Sequence, residues 1–80
     1  MQKFMKTDYV DEDEEIVTTI EANSLQEALE NTLKELLTDD RLCPCYGVKI
    51  EDTLSIVHES IEFAPGDGGG YSIVTIDRIE

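Results

Sequence analysis

The stretch that decides the fold is Glu21–Asp40, "EANSLQEALENTLKELLTDD". Ser24 is an N-cap residue type, and Glu27 three positions later completes the pattern of a capping box. Leu25, Ala28, Leu29, Leu33, Leu36 and Leu37 recur at the i, i+3, i+4, i+7 spacing of a single apolar stripe. Gln26, Glu27, Glu30, Asn31, Lys34 and Glu35 fill the opposite face, with Glu30 and Lys34 placed for an i,i+4 ion pair. The spacing predicts an amphipathic helix that starts after Ser24 and stops near Thr38. Asp39 and Asp40 suit the negative end of a helix dipole poorly, so the chain should turn there.

A helix with one apolar stripe needs an apolar surface to cover, and the flanking sequence supplies strands. Upstream, "KFMKTDYV" (3–10) and "EIVTTIEA" (15–22) read as a hairpin, with Ile16, Thr18, Ile20 and Ala22 on one face. The acidic run Asp11–Glu15 connects them. It lacks Gly or Asn, which predicts a connection longer or looser than two residues. Downstream, "RLCPCYG" is a connector in which Pro44 blocks regular structure. "YGVKIE" (46–51) reads as a short strand and "TLSIVHESIEFA" (53–64) as one longer strand. "PGDGGG" is a hairpin connection, and "YSIVTIDRI" (71–79) is the last strand. The expectation is a single α+β domain over residues 1–80, in the order β-β-α-β-β-β, with the helix on one face of an antiparallel sheet.

Charge narrows function more than any motif. Nineteen acidic residues against six basic ones give a net charge of −13. A magnitude of about 2–8 suffices to keep a small domain soluble, so the excess points to an acidic surface with a role. Direct nucleic-acid binding requires clustered Lys and Arg to neutralise phosphates, and an anionic membrane repels such a chain for the same reason. A basic partner protein is the natural complement. No apolar h-region opens the sequence and no 18-residue apolar run occurs in it, which favours a cytoplasmic protein.

The remaining features read as structure. Asp11, Glu12, Asp13, Glu14 and Glu15 are contiguous, whereas a calcium loop needs spaced carboxylates and a glycine. Cys43 and Cys45 form a C-x-C without the second ligand pair of a zinc site, and read as reduced thiols. His58 is the only histidine, and the sequence places it as a partly buried structural residue rather than half of a Cys/His nucleophilic pair. The glycines of 66–70 precede a β-branched strand instead of the helix that a phosphate loop requires. No cofactor, metal or catalytic residue is expected.

An extended acidic run has a further property. At about 3.4 Å per residue, its carboxylates match the axial spacing of phosphates along one DNA strand. The expected partner-binding residues are Asp8, Asp11, Glu12, Asp13, Glu14, Glu15, Asp39, Asp40 and Glu59.

Two segments carry resemblances. Ile20-Glu21-Ala22-Asn23-Ser24-Leu25-Gln26-Glu27-Ala28 resembles the strand-to-helix junction of small phage and mobile-element proteins, including some type I anti-CRISPR inhibitors. That resemblance implies an acidic inhibitor that blocks access of DNA to an RNA-guided surveillance complex in the host cytoplasm. Glu59-Ser60-Ile61 looks like the Glu-Ser-Ile strand motif of phage uracil-DNA glycosylase inhibitors, in which a strand edge enters the enzyme's DNA groove. The leading expectation is therefore an anti-CRISPR-like DNA mimic. The alternatives are a glycosylase inhibitor, or an accessory module that dimerises through a strand edge.

Overall fold

The computed structural model describes residues 1–11, 13–66 and 68–79, with Val10 and Asp11 described by backbone alone. Five strands form one antiparallel sheet: β1 (Gln2–Asp11), β2 (Glu14–Ala22), β3 (Leu54–Val57), β4 (Ser60–Phe63) and β5 (Tyr71–Arg78), in spatial order β2-β1-β5-β4-β3. One helix, α1 (Leu25–Leu36), follows β2. The first and last strands are thus neighbours, and the chain from β2 to β3 must travel from one edge of the sheet to the other. Helix α1 makes that crossing over one face, and it packs against β2, β3, β4 and β5.

Register explains which side chains it covers. Phe4 lies opposite Ile20 and Arg78, Lys6 opposite Thr18 and Ile76, and Asp8 opposite Ile16 and Val74. Ile61 lies opposite Val74 and Ile56, and Phe63 opposite Leu54. Directly opposed residues share a face, so Phe4, Ala22, Leu54, Ile61, Phe63, Val74 and Ile76 meet Ala28, Leu29 and Leu36 of α1 in one buried cluster. A register shift where Ile61/Val74 gives way to Glu62/Ser72 leaves Ile73 as the extra residue of a bulge. Ile73 and Val74 are therefore both buried although adjacent in sequence.

The helix forms as its spacing predicts, with two differences at its ends. Ser24 Oγ accepts the Glu27 N–H at 3.1 Å. The reciprocal bond goes one residue further back, from the Asn23 N–H and side-chain amide to the Glu27 carboxylate at 3.4 and 3.2 Å. At the other end, Leu37 caps the helix and is one-third exposed. Thr32, on no predicted apolar stripe, is buried because its hydroxyl donates to the Ala28 carbonyl at 2.8 Å. Glu30 does not pair with Lys34; it accepts from Gln26 Nε2 at 3.1 Å.

The strand count matches the sequence reading, but two strands lie elsewhere. Residues 46–51 form no strand: turns lead into a short 3-10 helix at Ile50–Asp52, and Tyr46 is fully exposed. The single long strand expected over 53–64 is instead a hairpin, β3 and β4, folding back at His58 and Glu59. His58 takes φ 56°, a left-handed conformation that alternation of apolar residues cannot announce. It is exposed at this turn, not partly buried. The acidic connection between β1 and β2 is also tighter than expected. Asp11 pairs with Glu14, and a register shift between Tyr9 and Asp11 takes the place of turn-forming Gly or Asn.

His58 gives a first prediction. A non-glycine residue at positive φ costs about 1–2 kcal/mol, partly offset by the greater chain entropy that glycine loses on folding. His58→Gly should raise stability by roughly 0.5–1 kcal/mol, read as a higher urea midpoint with unchanged slope. A lower midpoint would contradict the turn.

Candidate protein-binding surface

The expected partner-binding residues fall into three places. Asp13, Glu14 and Glu15 are exposed at the tip of the β1–β2 hairpin. Asp11 ends β1 there, and Glu12 lies outside the described residues. Asp8 and Asp39 are half-buried and converge on a residue that the sequence reading passed over, Arg41. Asp40 is exposed beside them. Glu59 stands apart: it occupies the β3–β4 turn, level with Ile76, whose N–H donates to the Glu59 carbonyl at 2.8 Å.

The Arg41 cluster explains how Asp39 is tolerated at a helix C-terminus. Thr38 N–H and Asp39 N–H donate to the Glu35 and Leu36 carbonyls, closing the last turn with i→i−3 bonds. The chain then reverses, and Arg41 returns to Asp39. Its Nη2 lies 2.7 Å from Asp39 Oδ2, its Nε 3.0 Å from Oδ1, and its backbone N–H donates to Oδ1 at 2.9 Å. This bidentate geometry is the strong form of the pair. The side-chain hydrogen bond from Arg41, and then its backbone N–H, hold the Asp39 carboxyl below its usual range. The guanidinium is correspondingly held above its own range by Asp39, with a smaller contribution from the charge of Asp8. Both shifts favour the ionised forms, which suits a fixed ion pair and not proton transfer. The spacing D-D-R directly after a leucine-rich helix was the available signal for Arg41.

Because the folded pKa of Asp39 is depressed, its contribution to stability is complete above the unfolded carboxylate value near 4 and is lost as pH falls through the lower folded value. Wild type should therefore exceed Asp39→Asn in urea midpoint at pH 7, with the gap narrowing as pH falls below the unfolded carboxylate value near 4. A gap unchanged down to pH 3 would mean that the ionised carboxylate is not what Arg41 holds. Comparing the two proteins at each pH removes the general relief of self-repulsion that acid brings to so negative a chain.

Next to the cluster, a groove of about 620 Å³ runs between β1, β5 and the segment after α1. Its lining includes Leu36, Leu42, Ile73, Val74, Tyr9 and Tyr71. Tyr71 meets Phe63 edge-on at 6.1 Å between ring centres.

The charge that remains is largely unpaired. Among the described residues, two ion pairs form: Arg41 with Asp39, and Lys6 with Glu35 at 3.7 Å. Lys6 is mostly buried on the helix face of β1, so its charge serves the contact between sheet and helix. Arg78 lies over the Phe4 ring at 6.0 Å. Three of the six cations, Lys6, Arg41 and Arg78, thus make contacts within the molecule, while among the described residues Asp13, Glu14, Glu15, Glu21, Glu30, Asp40, Glu51, Asp52, Glu59 and Asp77 are exposed without an ion-pair partner.

The Glu-Ser-Ile segment is placed differently from what its resemblance implies. Ile61 is fully buried, and β4 is paired on both sides, with β3 and β5. Ser60 and Ile61 therefore offer no strand edge to a DNA groove.

No group of three or more His, Cys, Asp or Glu among the described residues is arranged to hold a metal ion. Cys43 and Cys45 are exposed free thiols. No helix among the described residues is long and apolar enough to cross a membrane. The fold is an acidic α+β domain in which, among the described residues, α1 packs on one face of the sheet. No family model, curated protein or solved structure matches the chain.

Proposed function

We propose that this chain is a stoichiometric inhibitor of a basic, nucleic-acid-binding protein, acting by presenting carboxylates where that protein normally holds phosphates. The observation that carries the reading is the unpaired acidic surface on a chain of net charge −13, with only two ion pairs among the described residues. Dimensions support it as well. The long axis of 40 Å spans about twelve phosphates of one strand at roughly 3.4 Å each. Binding would be steered by long-range attraction and would need no catalytic residue. By the resemblance of residues 20–28, the favoured target is a CRISPR–Cas effector in a host cell infected by a phage or other mobile element.

The hairpin tip is the densest part of that surface, so Asp13→Asn, Glu14→Gln and Glu15→Gln together should weaken binding more than Glu59→Gln does. The test is capture from a bacterial lysate with wild-type and tip-neutralised protein, with bound proteins identified by mass spectrometry. Wild type should recover nucleic-acid-handling proteins, and the tip variant should recover fewer. Recovery of none would sink it.

A further inference from the structure

Strand β2 is an edge strand of nine residues, and among the described residues no strand pairs with its outer side. Strand parity identifies which backbone groups it offers. Ile79 N–H donates to the Lys3 carbonyl at 3.1 Å, which turns the amide groups of Lys3, Met5 and Thr7 toward β5. Phe4, Lys6 and Asp8 then turn toward β2 and bond with their opposites Ile20, Thr18 and Ile16. Glu15, Val17, Thr19 and Glu21 are left with N–H and C=O groups pointing away from the sheet. The strand's middle, Ile16–Ile20, contains no charge, proline or glycine. Ile16 and Val17 are 47% and 55% exposed although their side chains lie on opposite faces. Natural edges of this length are ordinarily blunted by a mid-strand charge, a bulge or a cover; this one carries charge only at its ends.

Those end charges select the occupant. A second copy pairing antiparallel about Thr18 would set Glu15 of each chain opposite Glu21 of the other. Like charges directly opposed across strands are destabilising, and two chains of −13 repel as whole molecules. An extended segment with an uncharged, β-branched centre and Lys or Arg at both ends meets the same edge with matched charge. We infer that the outer edge of β2 is a docking site for such a basic-ended strand of the target protein, added to the sheet through Glu15, Val17, Thr19 and Glu21. This inference rests on the inhibitor reading and names the surface through which it would act. Main-chain bonds would supply affinity and the flanking glutamates specificity.

The probe is a synthetic peptide of five alternating valines and threonines with two lysines at each end, compared with the same peptide bearing glutamates at its ends. Amide exchange followed by NMR is the readout. The lysine peptide should slow exchange at Val17 and Thr19 and bind at least about tenfold more tightly than the glutamate peptide. Val17→Pro removes an outward N–H without costing a bond to β1, a position where edge strands accept proline. It should abolish the protection while Ile76 stays protected. Glu15→Lys with Glu21→Lys should reverse the preference between the peptides, which keeps the test decisive even if the proline variant does not fold. Equal binding of the two peptides, protection confined to the hairpin tip or groove, or self-association that protects Val17 and Thr19 would each overturn the inference. If β2 takes no peptide but the chain still competes with DNA for a basic protein, the docking edge fails and the inhibitor reading stands. If β2 takes the lysine peptide and no such competition occurs, the reverse holds.

Discussion

Phe4→Ala should cost about 3–5 kcal/mol, the range for truncating a fully buried aromatic ring. Phe4 has no exposed surface, sits on β1 between Ile20 and Arg78, and belongs to the cluster sealed by Ala28 and Leu29 of α1. A domain of eighty residues has a total stability of roughly 4–12 kcal/mol, so this one change should remove at least about a quarter of it. Urea unfolding by circular dichroism reads the effect directly. Ile16→Ala, on the same sheet but half-exposed near the C-terminal end of the helix, should cost less than about 1 kcal/mol. If the two variants lose comparable stability, the burial of Phe4 beneath α1 within the sheet is wrong.

Gly66→Ala should cost about 2–4 kcal/mol, although Gly66 is exposed and lies in a loop. Its φ of 112° is a conformation that side chains rarely adopt, worth about 1–3 kcal/mol. A Cβ there would stand 2.8 Å from Val48 Cγ2 and 3.5 Å from the Cys45 Cβ. Valine is β-branched and stiff, so relief requires the 45–48 segment to move. That segment is pinned to the same loop by the Cys45 N–H, which donates to the Pro65 carbonyl at 2.8 Å. Gly68→Ala is the control. It shares the positive φ but has open space around it, so it should lose only the conformational part. Equal losses at the two positions would show that the contact with Val48 contributes nothing.

These two sites also mark where the sequence was legible. The helix was readable because a 3.6-residue period and a Ser24 cap are local signals, and the buried stripe Ala28, Leu29 and Leu36 lay within them. The β1–β2 hairpin was readable from alternation, down to the face shared by Ile16, Thr18, Ile20 and Ala22. Failure came where backbone conformation carried the information. The reversal at His58 and Glu59 uses a left-handed residue that carries no glycine or asparagine signature, so a continuous apolar run looked like one strand. Residues 46–51 alternate as a strand does, but Gly47 at φ 85° and the turn from Cys45 to Val48 divert the chain. The anchoring of the glycine-rich loop on Val48 is a tertiary contact that no local pattern records.

For the candidate surface, charge density was legible and its partition was not. Composition alone singled out the acidic run and Asp39 and Asp40. It could not show that Asp39 is tied to the Arg41 guanidinium and so contributes less free charge than Asp13, Glu14 and Glu15. Nor could it show that Glu59 lies at a turn remote from the hairpin tip, because that depends on the strand order β2-β1-β5-β4-β3. The outer edge of β2 follows from the same order: only a further strand beyond β2 would have covered it.

The central claim is that carboxylates replace phosphates on a basic protein, and ionic strength tests it most directly. The measurement is displacement of a labelled DNA duplex from a captured target by this protein, at 50 mM and at 500 mM salt, with DNA binding itself corrected for at each concentration. Electrostatic replacement predicts displacement at low salt and at least about a tenfold loss of the protein's own affinity at high salt, where the screening length falls to a few ångströms. An affinity unchanged across that range, or binding that leaves the DNA in place, would contradict it.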